Sequence, residues 1–130
     1  MESLELSASF PATSAEVFAA WADAEMHSEM TGAPATGRTE AGQPFTAWDG
    51  YITGKTLSVE PGRRIVQAWR TSEFPEDAPD SALEVLFEDV AGAARVTIRH
   101  TDLPPGGAAK YTEGWEQFYF APMRACFQVK

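Results

Sequence analysis

A chain of 130 residues with 44% hydrophobic side chains is long enough to bury a core and too apolar for disorder. Its 19 acidic and 10 basic side chains leave a net charge of −9, the wrong sign for a nucleic-acid backbone or an anionic bilayer. A single cysteine, Cys126, excludes an internal disulfide and a thiolate metal cluster.

Leu4, Leu6, Ala8 and Phe10 alternate with polar or small residues, which predicts a first strand ended by Pro11. Neither this start nor any later stretch carries the apolar run of a signal peptide or a spanning helix, so the cytoplasm is the expected compartment. Thr13 and Glu16 have capping-box spacing, and Val17, Phe18 and Trp21 form the apolar face of the short helix behind them. Asp23 starts a second short helix with Met26 and Met30 on one face; His27, beside Glu25 and Glu29, reads as exposed.

Phe45 to Trp48 then leads into Asp49-Gly50, a tight-turn pair. In the next strand Tyr51, Leu57 and Val59 share one parity, Ile52 and Gly54 the other. Pro61-Gly62 turns the chain into a strand from Arg64 to Arg70, with Ile65 and Trp69 on one face. Glu73 to Asp80 holds two prolines and four acids and reads as an exposed loop. Leu83, Val85 and Phe87 alternate; after the Ala91-Gly92 turn, Val96, Ile98 and His100 share a face.

Beyond a connector from Leu103 to Gly107, Trp115, Phe118, Tyr119, Met123, Cys126 and Phe127 fall at offsets 0, 3, 4, 8, 11 and 12, one wide helical stripe. Cys126 lies on it and reads as core. Pro122 lacks the donor that would reach the Phe118 carbonyl, which predicts a kink or bulge there. Hairpin-sized connectors imply antiparallel pairing. Residues 1–130 thus read as one α+β domain: a curved antiparallel sheet of about six or seven strands around a long C-terminal helix, with two short helices after the first strand.

The chemistry-bearing residues are few. His100 faces the interior and reads either as a structural histidine or as a proton carrier or polar anchor in a cavity. No zinc-protease, nucleophile-elbow or phosphate-loop pattern occurs, so no metal and no cofactor are expected. Large rings are abundant: Phe18, Trp21, Trp48, Tyr51, Trp69, Trp115, Phe118 and Tyr119. They either fill the core or line a pocket for an apolar ligand, with His100, Tyr51 or Tyr119 as polar anchors.

Several stretches resemble one family, the activators of the heat shock protein 90 ATPase, in their C-terminal domain. They are Ala15 to Trp21, Phe45 to Gly54, Pro61 to Arg70, Leu83 to Val90, His100 to Pro104 and Gly114 to Phe120, in the family's order and spacing. The resemblance implies the helix-grip fold shared with lipid-transfer START domains and the birch-pollen allergen, with a hydrophobic cavity between sheet and last helix. In that wider group the cavity binds lipids, hormones or polyketides, and in a few members it supports cyclisation or dehydration. Eukaryotic activators carry an additional N-terminal domain that grips the chaperone.

Three functions follow as expectations. The first is a non-enzymatic domain holding a hydrophobic small molecule. The second is a co-chaperone contacting a heat-shock chaperone in the stress response. The third is a cyclase- or dehydratase-type enzyme using His100. A monomer or weak homodimer is expected in each case.

Overall fold

The alternating segments pair into one sheet. In the computed structural model, which describes residues 1–127, the strands are β1 (Glu2–Phe10), β2 (Thr36–Gly37), β3 (Pro44–Ala47), β4 (Ile52–Glu60), β5 (Arg64–Thr71), β6 (Ser81–Val90) and β7 (Ala93–Leu103). They lie in the order β1-β7-β6-β5-β4-β3-β2, every neighbouring pair antiparallel. On β5, β6 and β7 as far as His100 the side-chain period of two holds as predicted; a bulge between His100 and Leu103 then shifts the register with β1. Ile65 and Trp69, Leu83, Val85 and Phe87, and Val96, Ile98 and His100 all point into the core.

A bulge between Thr56 and Ser58 breaks that period on β4. As far as Thr56 the two parities separate as expected: Ile52 and Thr56 are buried, and Leu57, on the other parity, is turned out to solvent. Gly54 has no room for a side chain, because a Cβ there would lie 2.0 Å from the Ala68 carbonyl oxygen and 2.8 Å from the Phe45 ring. Ala91 and Gly92 join β6 to β7 with φ of 53° and 81°, the left-handed pair of a tight hairpin.

Two short helices, α1 (Ser14–Ala22) and α2 (Ala24–Thr31), follow β1. The Thr13–Glu16 capping box is formed, and the Asp89 carboxylate accepts from the Ser14 amide and hydroxyl, which ties α1 to the end of β6. The Asp23 side chain accepts from the Met26 amide and starts α2. One expectation fails on this helix, that His27 is exposed. Its buried side chains are His27, Met30 and Thr31, while Met26 is exposed, and His27 is enclosed rather than solvated. The reason is tertiary: α2 packs against the C-terminal helix, so the buried stripe starts at His27. The 73–80 loop is solvated apart from Phe74, which packs on Trp69 and Tyr111.

The C-terminal helix has three parts: α3 (Gly107–Trp115), a π-helical turn (Glu116–Phe120) and α4 (Ala121–Cys126). Glu2 of β1 starts it, its carboxylate accepting from the amides of Gly106 and Ala108. In the π turn the Ala121 amide reaches the Glu116 carbonyl, five residues back. This is the bulge that Pro122 predicted. The wide turn inserts one residue into the stripe. Trp115, Tyr119, Phe120 and Met123 are therefore buried, while Phe118 is 49% exposed and Cys126 lies on the surface instead of in the core. It also aligns Glu116 with Arg124, which donates both guanidinium amines to its carboxylate. No helix among the described residues is long and apolar enough to cross a membrane.

Candidate functional site

Where α3 and the π turn cross the sheet, the rings do not fill the space. A cavity of about 490 Å³ remains. Thirteen of the described residues line it, and seven of these are aromatic. Trp69 comes from β5, Trp48 and Tyr51 from the β3–β4 turn, and Trp115, Phe118 and Tyr119 from the helix. These are six of the nine predicted site residues. Trp48 and Phe118 meet edge to face at 5.1 Å on the rim. Trp115 and Tyr119, with centroids 4.8 Å apart, lie deeper.

The other three predicted residues stand apart from the cavity. Trp21 is behind it, stacked on Tyr119 at 4.8 Å, where only about 30 Å³ of further space is left. Phe18 is also off the cavity, edge-on to Phe87, the ring that Trp21 meets edge-on as well. His100 is fully enclosed beneath Trp69. Its Nδ1 accepts from the Trp115 indole at 3.1 Å. Its Nε2 therefore carries the proton and donates to the Ser81 hydroxyl at 2.7 Å, which passes a hydrogen bond to the Trp69 carbonyl. No carboxylate joins this chain, and burial pushes the imidazole down from 6.5 to about 3. His100 is a neutral, fully bonded group that braces the cavity floor.

A second buried imidazole supports the inner wall. His27 Nδ1 donates to the Trp21 carbonyl, so Nε2 accepts from the Tyr119 hydroxyl, both at 2.8 Å. Burial lowers its pKa. The Trp48 indole N–H has no hydrogen-bond partner among the described residues although the atom is buried, and Trp48 itself has a φ of 52°.

The mouth is polar. Tyr51 donates to the Glu73 carboxylate, and the Lys110 ammonium lies 2.5 Å from the other Glu73 oxygen. Lys110 first, then Tyr51, hold the Glu73 carboxyl below its usual range; burial and this carboxylate push the Tyr51 phenol up. Glu113 and Gln117 complete the rim, with the Gln117 amide 3.0 Å from Glu113. Tyr111 lines the floor, its hydroxyl 2.6 Å from that of Thr71. Sequence reasoning missed Tyr111, Glu73, Lys110 and Glu113. Tyr111 was within reach, since it stands one helical turn before Trp115; the others assemble only through the fold. No cluster of three metal-ligating side chains exists among the described residues.

This arrangement has relatives. Residues 11–128 match the sequence pattern of the family described as "Activator of Hsp90 ATPase homolog 1-like protein". The human protein named activator of 90 kDa heat shock protein ATPase homolog 1 is 24% identical over 95% of this chain, which covers 36% of the human one. The chain thus spans about a third of the length of the curated relatives it matches. An HSP90 activator from Plasmodium falciparum superposes with a TM-score of 0.87 at 20% identity, over 97% of this chain and 96% of that one. The Aha1 dimer from Colwellia psychrerythraea gives 0.83 at 13% identity, over 99% and 98%. With a pattern match over most of its length and this seven-stranded sheet gripping a C-terminal helix, the chain belongs to the activator of Hsp90 ATPase homolog 1-like family and has the helix-grip fold.

Proposed function

We propose that the domain binds an apolar small molecule in the space between the sheet and the C-terminal helix. The observation that carries this reading is the ring-lined cavity of about 490 Å³, within the size range of small-molecule sites. Gly114 supports it. This glycine lies inside α3, where it costs roughly 1 kcal/mol relative to alanine. A Cβ there would meet nothing closer than 4.0 Å, so sterics do not demand glycine. Its effect is to leave the cavity open.

The test is a thermal-shift panel of aliphatic and aromatic probes with the native protein and with Gly114→Leu. A ligand selective for the folded state must raise Tm. Gly114→Leu fills the space and improves helix propensity, so its unliganded Tm should hold or rise while the probe-induced shift disappears. A panel with no shift, or shifts untouched by the leucine, sinks the reading.

A surface contact with a heat-shock ATPase is the second reading, favoured by the family match and by the names its relatives carry. It does not need the cavity. Stimulation of such an ATPase by both the native protein and Gly114→Leu would separate it from ligand binding; no change in turnover at saturation would end it. The enzyme reading loses its support, because His100 is sealed from the cavity with both nitrogens bonded to neutral groups.

A further inference from the structure

We propose that the cavity selects apolar cations, an ammonium on an aromatic or aliphatic body, over the carboxylate of the same body. This rests on the cavity reading above and names its ligand class. Two independent features of the lining carry it.

The first is the walls. Seven of the thirteen described lining residues present aromatic rings, whose faces carry the negative lobe of a quadrupole. Such faces attract a cation and repel an anion. The protein already uses this at the mouth, where the Lys110 ammonium lies 5.8 Å from the Tyr111 ring centroid.

The second is the charge of the rim. Among the described residues the charged members of the lining are Glu73, Glu113 and Lys110, two acids and one base, for a net charge of −1. Lys110 is taken by Glu73 at 2.5 Å. A ligand carboxylate would find no free cation among the described residues of the lining, would have to displace Glu73, and would sit beside Glu113. An ammonium meets the opposite situation. Glu113 is exposed, accepts only from the Gln117 amide and has no cationic partner among the described residues, so it stands as a counter-ion at the entrance. The net charge of −9 over the whole chain biases approach in the same direction.

The experiment compares naphthylethylamine, naphthylethanol and naphthylacetic acid by titration calorimetry at low salt, on the native protein and on Glu113→Gln. The amine should bind more tightly than the acid by about tenfold or more, with the alcohol between. Glu113→Gln should shrink the amine's advantage several-fold and leave the alcohol unchanged; Glu113 is on the surface, so the variant folds. Binding of the alcohol with amine and acid equal, or with the acid tighter, overturns the charge selection and leaves the cavity reading intact. Binding of none of the three overturns both. An amine preference untouched by Glu113→Gln overturns the assignment of the counter-ion.

Discussion

At the scale of single residues, the site is held by neutral polar groups sealed among rings. Tyr119 has two tasks: its ring lines the cavity, and its hydroxyl is the donor that a buried His27 requires. Tyr119→Phe keeps the ring and removes the donor. His27 Nε2 is then an acceptor without a partner, and its desolvation is not returned, so the variant should lose about 1–3 kcal/mol in urea denaturation. A loss below about 0.5 kcal/mol would mean that water takes the place of the hydroxyl. Trp48 is the contrary case. Its indole N–H is buried unbonded and its backbone is left-handed, so two costs meet at one residue on the rim. Features of this kind persist where the surrounding structure over-determines them, and they collect at ligand clamps.

At the scale of elements, the π turn decides which rings are structural and which are available to a ligand. Phe118 and Phe120 are two residues apart in one turn, yet Phe120 is 1% exposed and Phe118 49%. Phe120→Ala should cost about 3–5 kcal/mol as a core truncation. Phe118→Ala should stay within about 1 kcal/mol of native in stability while weakening probe binding, because it removes the ring that meets Trp48 over the rim. The reverse order, a larger loss from Phe118→Ala than from Phe120→Ala in chemical denaturation, would show that the helix runs as an unbroken α-helix in solution, because constant 3.6-residue spacing puts Phe118 on the buried stripe and Phe120 opposite it. The same turn marks the limit of what the sequence made legible. Counting by two placed the inward faces of β5, β6 and β7 correctly, because β5 and β6 pair without a register shift and the extra residue on β7 lies beyond His100, between it and Leu103. Counting by 3.6 found the C-terminal helix and placed Trp115, Tyr119 and Met123. Each count assumes constant register; the bulge on β4 adds one residue, and the π turn adds a second, which put Phe118 and Cys126 on the wrong side. Pro122 announced the second insertion but not its width. His27 failed differently. Its acidic neighbours suggest water, whereas its burial comes from a residue 92 positions away, which no local pattern encodes.

At the scale of the whole molecule, two imidazoles enclosed in an acidic protein make acid stability a property of the fold rather than of its surface. His100 titrates at about 3 when folded and at 6.5 as a free side chain. Between those values the unfolded chain binds a proton that the folded chain does not, so stability rises with pH there and is lost as pH falls from about 6.5 toward 3. The slope from this one group is at most about 1.4 kcal/mol per pH unit. His27, lowered by the same burial, adds to it with the same sign. The carboxyls of Glu2, Glu73 and Glu116 are also lowered, Glu2 by the amides it caps and the other two by Lys110 and Arg124. Their contributions are present above 4.5 and lost as pH falls through lower values, so they enter only after the histidines have acted. The urea midpoint should therefore already decline between about pH 7 and about pH 5, where a fold stabilised by carboxylates alone would stay level. His100→Gln, whose amide can still donate to Ser81, should flatten a substantial part of that decline, whatever it costs in absolute stability. An equally steep profile in the glutamine variant would show that the proton goes elsewhere and that His100 is more open to water than its enclosure beneath Trp69 and Trp115 implies.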